Sequence, residues 1–367
     1  MNLPESEKPI VDEKGVSLAA PSFLLQVDAI IYDLQSRAGI SVYTEETVSA
    51  LSAFGDIAIE YSVSPEARAK ISNTVPPELI REQRRRSFER LRSFRLSDTG
   101  PTPVVFHSSY YRLPSDSVPT VVTLHDLIHE QQIPGWRSKI LAFQKYQALR
   151  RADAIIAISQ STKSDLVKYY PEFGSKRIEV IYNGVSDDFI PPEEERRARR
   201  LVFVGSRKHY KNFGFAVKVM ERLPGLEFHI VGGGALSKQE HALLERCLKG
   251  RYLLRGAICQ EELIRLYQTS LGLFYPSRYE GFGLPALEAM KSGCIPIAFN
   301  TSSLPEVLGE AGILLDSEDV DEAAKRIASE IFSVGYPELQ SRGFSQADRF
   351  SWAKTARSMY ALYKSLI

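Results

Sequence analysis

The spacing of apolar residues changes repeatedly along this chain. Short runs of four or five apolar residues alternate with longer stretches in which apolar residues recur every three or four positions. The short runs predict buried strands and the longer stretches predict amphipathic helices, an alternation typical of a parallel α/β sheet. The predicted strands are residues 29–32, 104–107, 121–124, 154–158, 178–182, 201–205, 227–231, 252–254, 272–275, 295–298 and 313–315.

Residues 186–200 separate the first five predicted strands from the last six. This segment contains Pro191, Pro192 and a dense run of charges, which favours a linker. A chain of 367 residues is also too long to fold around a single hydrophobic core. We therefore predict two doubly wound domains, residues 1–190 and 191–349, and a C-terminal helix over residues 350–367. Ligands bind such sheets in the loops that follow the strands.

Composition narrows the class of protein. A net charge of +1 argues against a dedicated nucleic-acid-binding protein, which normally carries a basic excess. Cys247, Cys259 and Cys294 are too sparse for a disulfide framework or a zinc site and favour a reducing compartment. The first twenty residues are too polar for a signal peptide, and the apolar run at 23–32 is too short to span a membrane. We expect a cytoplasmic protein.

The segment from Tyr279 to Glu288 carries the strongest chemical signal. A glycine loop follows a predicted strand here, and a helix begins near Leu284 with a proline in its first turn. Gly281 and Gly283 allow close approach of a ligand, and the helix N-terminus attracts anions such as a diphosphate. The flanking carboxylates suit sugar and ribose hydroxyls, with hydrogen bonds worth about 1.5–3 kcal/mol each. The candidate binding residues of this segment are Glu280, Gly281, Phe282, Gly283, Leu284 and Glu288.

The same stretch also matches G-x-G-x-x-A, the dinucleotide fingerprint of dehydrogenases. That fingerprint requires an acidic residue at the end of the next strand, whereas the next predicted strand ends in Phe299 and Asn300, with Glu306 beyond it. We therefore disfavour a dehydrogenase. The D-x-D at Asp319 and Asp321 is interpreted as a helix start rather than a metal site, and no metal-binding residue is assigned.

A second loop is rich in cations. Gly205 ends a predicted strand, and Arg207, Lys208 and Lys211 follow it. Cations on a strand-end loop can grip a diphosphate and stabilise the charge that develops on a leaving group. The alternative is a solvated basic turn, but the glutamate loop favours the functional interpretation.

Two residues of the first half are candidates on weaker grounds. His125 ends an apolar strand, where it could contact a sugar or a phosphate, although a core histidine bonded to the backbone is the commoner outcome. Gly39 follows the first predicted strand and is a candidate for opening a phosphate-facing loop.

Arg81–Arg95 contains seven arginines and two glutamates, with apolar residues at helical spacing. The pattern predicts an amphipathic helix that covers the first sheet. The alternative is a basic surface for an anionic membrane or for a lipid-diphosphate acceptor.

Taken together, these segments resemble the retaining glycosyltransferase family 4 over nearly the whole chain. Its E-x7-E element matches at Glu280 and Glu288, and its basic pair matches at Arg207 and Lys211. Further stretches at 123–127, 157–161, 180–185 and 302–306 follow the family pattern. The resemblance implies the GT-B fold, an α/β architecture in which two Rossmann-like domains face each other across a cleft. It also implies that the C-terminal helix crosses back to the first domain.

The family implies a role for each matching residue. Glu288 would hold the ribose, Glu280 the donor hexose, Arg207 and Lys211 the diphosphate, and His125 would face the reacting sugar. The backbone that would border the base comprises Gly256, Ala257 and Ile258. The chain departs from the family at two points. The loop at Gly39 has one glycine where many relatives have two, and Arg207 lies one place later than usual, as in a polysaccharide-building subgroup.

The resemblance implies a hexosyl transfer with retention of configuration and no essential metal ion. A UDP-hexose such as UDP-glucose is the favoured donor, GDP-mannose is the next, and the acceptor is a saccharide or a lipid-linked saccharide. Peripheral association with the inner face of the membrane would be consistent with the arginine-rich segment. The alternatives are a sugar-nucleotide epimerase of the same fold and a non-catalytic nucleotide-sugar-binding protein.

Overall fold

The computed structural model describes residues 10–11, 17–18, 21–34, 39–71, 73–86, 89–98, 100–131, 135–192 and 197–367. Its strands are β1 (Ile10–Val11), β2 (Ser17–Leu18), β3 (Phe23–Asp28), β4 (Ile57–Val63), β5 (Ile80–Glu82), β6 (Val104–Ser108), β7 (Thr120–Leu124), β8 (Ala154–Ala157), β9 (Ile178–Val180), β10 (Ala198–Val204), β11 (Glu227–Val231), β12 (Tyr252–Gly256), β13 (Ser270–Tyr275), β14 (Ile295–Phe299) and β15 (Ile313–Leu315).

Helices connect most of these strands. They are α1 (Ile31–Leu34), α2 (Gly39–Leu51), α3 (Pro65–Arg68), α4 (Ile128–Gln131), α5 (Trp136–Arg151), α6 (Gln160–Tyr169), α7 (Phe213–Glu221), α8 (Lys238–Leu248), α9 (Gln260–Gln268), α10 (Leu284–Lys291), α11 (Leu304–Leu308), α12 (Val320–Ile331), α13 (Tyr336–Ala347) and α14 (Trp352–Lys364). Short 3-10 turns lie at Pro77–Leu79, Glu89–Leu91, Pro171–Ser175 and His209–Lys211.

Two Rossmann-like sheets organise the chain, as the resemblance implied. The first has seven strands in the order β5-β4-β3-β6-β7-β8-β9, and its pairs among β3 to β7 are parallel. The second has six parallel strands in the order β12-β11-β10-β13-β14-β15. In each sheet the order reverses beside the first long strand, the arrangement in which ligands bind at the carboxyl ends of the strands.

The chain divides into two compact units. The first comprises Met1–Thr123, Phe143–Ile156 and Ala356–Ile367, and the second comprises Leu124–Ala142 and Ala157–Thr355. Residues 157–190, which the sequence interpretation assigned to the first domain, are therefore counted with the second unit. Part of the predicted linker, residues 193–196, lies outside the described residues.

The first strand lies earlier than the sequence pattern predicted. Strand β3 ends at Asp28, and the residues predicted as a strand, 29–32, lead into helix α1 instead. All four are at most 1% exposed. The apolar run continues through a buried turn, so hydrophobicity alone does not mark where the strand ends. Strand β4 was not predicted.

The predicted helix over Arg81–Arg95 is wrong. The described part of this segment contains strand β5 and the 3-10 turn Glu89–Leu91, while residues 87–88 lie outside the described residues. Arg85 bonds Asp28, which is fully buried at the end of β3, at 3.2 Å. A buried carboxylate needs a paired cation, and this requirement outweighs helix propensity. Further ion pairs join Arg81 to Glu60, Arg85 to Asp33, Arg86 to Glu89, and Arg112 to both Asp28 and Glu89.

The last helix packs within the first unit through its C-terminal half. Tyr363 shares a 2.8 Å hydrogen bond with the His107 ring on β6. Tyr360 stacks on Phe54 with ring centroids 4.3 Å apart, and its hydroxyl bonds Asp56. The C-terminal sequence therefore contributes aromatic side chains to the core built by the N-terminal strands.

The core of the second unit lies between the six-stranded sheet and helices α7, α8 and α12. Leu201, Phe203 and Phe228 on the strands pack with Phe213 of α7 and Ile327 of α12 in one buried cluster. Among the described residues, no helix is both long enough and apolar enough to cross a bilayer.

Candidate functional site

The glutamate loop connects β13 to α10 in the second unit. Gly283 has φ +106° and is the N-cap residue of α10, and no side chain caps this helix. A proline stands in the first turn of this helix. The positive end of a helix dipole that no side chain caps is a position that favours anions. Gly281 and Phe282 complete the loop, and Leu284 is the first residue of α10.

Glu280 and Lys211 meet directly at the edge of the sheet. The Lys211 Nζ lies 2.6 Å from Glu280 Oε1 and donates to the Tyr275 hydroxyl at 2.8 Å. The ammonium also lies 4.6 Å from the ring centroid of Tyr275 and 5.5 Å from that of Tyr210. Strands β10 and β13 are paired neighbours, so the loops that follow them reach the same edge. The lysine is thus held beside the helix N-terminus in a half-buried, aromatic surrounding.

Glu288 lies one turn further along α10. The Tyr267 hydroxyl donates to its Oε2 at 3.4 Å. Burial raises the pKa of the Glu288 carboxyl from 4.5 to about 7, because water no longer stabilises the charge. A carboxyl with a strongly raised pKa in the helix that follows a strand and a glycine loop is a candidate for ligand contact.

Arg207 occupies a different position from Lys211. Its side chain is 4% exposed and pairs with Glu240 at 2.8 Å. The guanidinium also donates to the carbonyl oxygens of Gly232, Gly234 and Ala235. Of the predicted basic pair, Lys211 contacts the glutamate loop, whereas Arg207 forms hydrogen bonds to the glycine turn between β11 and α8.

The remaining strand-end residues belong to β10 and β12, the strands on either side of β11. Gly205 follows β10 with φ +122°, and Gly256 ends β12 with φ +63°. The Gly256 carbonyl accepts the Gly232 N–H at 2.7 Å, which joins the turns after β11 and β12. Ala257 is exposed, and Ile258 packs partly against a small cluster of Val202, Val231 and Leu266.

His125 follows β7 and is 5% exposed. Its backbone oxygen lies 1.9 Å from the position that a Cβ on Gly281 would occupy, so a glycine is required for this close approach. The structure therefore brings His125 against the glutamate loop. Gly39 lies in the first unit as the exposed first residue of α2, and residues 35–38 of its predicted loop lie outside the described residues.

Sequence reasoning assigned no role to the serines that support the glutamate loop. Ser302 has φ +50°, and its Oγ accepts the Glu280 N–H at 2.9 Å. Ser303 is fully buried, and the carbonyl oxygens of Glu280 and Phe282 share its single hydroxyl proton at 3.0 and 2.9 Å. These serines lie in the 302–306 stretch, so the resemblance of that stretch to the family pattern is the sequence feature from which they could have been identified.

Within the described part of the chain, no three His, Cys, Asp or Glu side chains cluster as metal ligands.

Two family models match adjacent parts of the chain. The model described as Glycosyltransferase Family 4 matches residues 38–189, and that described as Glycosyl transferases group 1 matches residues 186–331. Among curated proteins, the O-antigen chain mannosyltransferase B of Escherichia coli is 27% identical over 71% of this chain and 74% of its own length. The serotype-specific mannosyltransferase WbdA of Escherichia coli is 29% identical over 68% of this chain, which spans 34% of that relative.

Solved structures share the fold. Sucrose-phosphate synthase from Thermosynechococcus elongatus aligns with a TM-score of 0.73 at 20% identity, covering 94% of this chain and 99% of that one. HepE from Anabaena, solved in complex with UDP-glucose, aligns with a TM-score of 0.71 at 14% identity, covering 94% and 100%. At these identities the likeness establishes the architecture of two parallel-sheet α/β domains.

Proposed function

Because the chain belongs to the group 1 glycosyltransferases of family 4, it is a glycosyltransferase, and we propose that it transfers a mannosyl group from a nucleotide-sugar donor to a saccharide acceptor in polysaccharide biosynthesis. The observation that carries the site assignment is the contact between Lys211 and Glu280 at the N-terminal end of α10. A cation, a carboxylate and a helix N-terminus without a side-chain cap suit a diphosphate joined to a polyhydroxylated ring.

Mannose is proposed as the transferred sugar because two relatives at 27% and 29% identity are mannosyltransferases. GDP-mannose therefore replaces UDP-glucose, which the sequence resemblance alone favoured, as the first donor to test. The identity of the donor depends on this comparison and not on the geometry of the site.

Each site residue has a role in this proposal. Lys211 exchanges its contact with Glu280 for a diphosphate oxygen and stabilises the charge of the departing nucleoside diphosphate. The released Glu280 carboxylate accepts hydroxyl groups of the hexose, Glu288 accepts those of the ribose, and His125 contacts the reacting sugar. The proposed reaction retains the anomeric configuration, with the leaving phosphate accepting the acceptor proton on the same face of the sugar. The protein would contribute orientation and charge stabilisation rather than a covalent nucleophile.

The first experiment measures the melting temperature with GDP-mannose, UDP-glucose, GDP, UDP and NAD, with and without EDTA. A ligand that binds the folded state raises the melting temperature by linkage. We expect the largest shift with GDP-mannose and no effect of EDTA. A larger shift with UDP-glucose would contradict the donor assignment, and a shift with NAD alone would contradict the transferase site.

Transfer itself is tested with a mannan oligosaccharide acceptor. Release of nucleoside diphosphate should depend on the acceptor, and NMR of the product should report the α-configuration that GDP-α-mannose carries. Glu280→Gln should lose transfer, while Glu310→Gln, which changes an exposed glutamate, is the matched control. Conversion of the donor without acceptor would instead indicate an epimerase, and binding without turnover would indicate a non-catalytic protein.

We also propose that part of the arginine-rich segment contacts an anionic membrane. Arg84 and Arg95 are exposed, and Leu91 between them is 64% exposed. An apolar side chain flanked by cations suits the interface of an anionic bilayer. Replacing Arg84 and Arg95 with serine should reduce sedimentation with phosphatidylglycerol vesicles, whereas the same change at exposed Arg246 and Arg342 should not. Equal sedimentation of both variants would contradict the proposal.

A further inference from the structure

Tyr279 directly precedes Glu280 and has a role of its own in the site. Its side chain is 5% exposed. The hydroxyl accepts the Leu127 N–H at 3.1 Å and donates to Asp165 Oδ2 on α6 at 3.0 Å. Leu127 lies two residues beyond His125 in the turn that follows β7. One buried hydroxyl therefore connects the glutamate loop to the histidine turn and to α6.

A second contact lies on the other side of Glu280. A Cβ on Gly281 would lie 1.9 Å from the His125 carbonyl oxygen and 3.3 Å from the Asp126 Cβ. The Gly281 carbonyl also accepts a hydrogen bond from Thr162 Oγ1 on α6 at 3.2 Å. The histidine turn and α6 thus hold the loop immediately before and immediately after Glu280.

These two contacts differ in chemistry. At Gly281 the backbones pack because a side chain is absent, a contact that limits how close the turn can come but does not orient it. The Tyr279 hydroxyl makes two directional hydrogen bonds, with the amide as donor and the carboxylate as acceptor. Bonds of this kind fix both distance and angle, and the carboxylate makes the second bond charge-assisted.

We propose that Tyr279 is a positioning residue that fixes the His125 turn against the loop carrying Glu280. This inference rests on the proposed function, in which both residues contact the transferred sugar. Because the two side chains come from separate segments of the chain, their relative position depends on a connection between those segments. Small misplacements of reacting groups lower turnover strongly while leaving ground-state binding nearly intact.

The test compares Tyr279→Phe with Tyr336→Phe. The control likewise removes a hydrogen-bonded tyrosine hydroxyl, which is partly buried and donates to the Leu271 carbonyl at 2.8 Å. Tyr279→Phe should lower kcat by about tenfold to 100-fold, with a much smaller change in the donor KM. The control should keep kcat near that of the wild type. Equal kcat values in the two variants would overturn the inference.

Hydrogen exchange gives a readout that does not depend on turnover. The Leu127 amide loses its acceptor in Tyr279→Phe, so peptides covering residues 124–131 should exchange faster than in Tyr336→Phe. Unchanged exchange would overturn the connection, whatever the activity. If the wild-type protein transfers no sugar, the proposed function fails while the exchange experiment still decides whether Tyr279 holds the turn.

Asp165 provides a second pair of variants if Tyr279→Phe proves unstable. Asp165→Asn keeps an oxygen that can accept the tyrosine proton, whereas Asp165→Ala removes the acceptor. We expect kcat to fall in the alanine variant and to be largely restored in the asparagine variant. An equal fall of kcat in the two variants would show that the charge of Asp165 matters, and not an acceptor for the Tyr279 hydroxyl, and would contradict the inference.

Discussion

Glu288→Gln is expected to make the ligand-free protein more stable and a weaker binder of the donor. The pKa of Glu288 is raised from 4.5 to about 7 by burial. Each unit of difference corresponds to about 1.4 kcal/mol, so the ionised carboxylate destabilises the folded state by up to about 3 kcal/mol. Glutamine keeps the size of the side chain and an acceptor for the Tyr267 hydroxyl, but carries no charge.

Because the pKa of Glu288 is raised in the folded state, the free energy of unfolding depends on pH in a defined direction. Below pH 4.5 the carboxyl is protonated in the folded and unfolded states and has no effect on their difference. As pH rises towards about 7, the unfolded chain releases the proton first, so the folded state loses stability. Above that value the loss is complete. The wild-type protein should therefore approach the stability of Glu288→Gln at acidic pH and fall below it at alkaline pH.

Urea unfolding of the two proteins across this pH range tests the argument. Near pH 8 the variant should gain up to about 3 kcal/mol, which corresponds to a rise of roughly 4–7 °C in melting temperature. Glu310→Gln is the control, since that side chain is exposed. A variant that is no more stable than the control, or a gain that does not change with pH, would refute the buried-charge argument.

The same variant tests the ribose role independently. If the ionised carboxylate accepts ribose hydroxyls, donor affinity should fall by roughly tenfold to 100-fold in Glu288→Gln. Wild-type affinity should increase as pH rises through about 7, because the carboxylate form is the better acceptor. A gain in stability with unchanged affinity would leave the charge buried but remove Glu288 from the binding site.

Three further predictions concern separate parts of the molecule. Lys211→Ala should lower kcat by roughly 10²–10³-fold, more than it weakens donor binding, if the ammonium stabilises the departing diphosphate; equal losses in steady-state kinetics would indicate binding alone. Ser303→Ala should cost about 1–3 kcal/mol in urea unfolding, because two buried carbonyls lose their donor. Asp56 bonds Tyr360, and its pKa is lowered to about 2 chiefly by that bond, so its contribution is present above pH 3.8 and lost as pH falls towards about 2. Pepsin cleavage within residues 352–364 should accordingly be faster in Asp56→Asn at pH 4, and a cleavage rate equal to that of the wild type would contradict this.

The alternation of strands and helices was accessible from the sequence because it depends on local periodicity. The six strands of the second sheet fall within a few residues of their predicted positions. The strands of the first sheet were harder to predict from the sequence. Apolar residues continue beyond β3 through a buried turn, and β4 went unrecognised. Burial of a turn and burial of a strand select the same residues, so hydrophobicity cannot separate them.

The ion pairs of the arginines join residues far apart in sequence, and the spacing of residues along the chain does not reveal such partners. Arg85 pairs with Asp28, 57 residues away in sequence, and Arg207 pairs with Glu240, 33 residues away. The first pair belongs to a network that replaces a predicted helix, and the second holds a glycine turn together. Lys211, four residues after Arg207, instead contacts Glu280.

By itself the sequence determined the α/β architecture, the E-x7-E element and the strand-end segments in which the candidate site residues lie. Only the tertiary structure decided which cation reaches the glutamate loop, that Tyr279 and Ser303 hold it, and that desolvation raises the pKa of Glu288. Periodic patterns arise from neighbours along the chain. Coulombic attraction, hydrogen bonding and desolvation depend on distances in space and on the exclusion of water, which only the folded chain establishes.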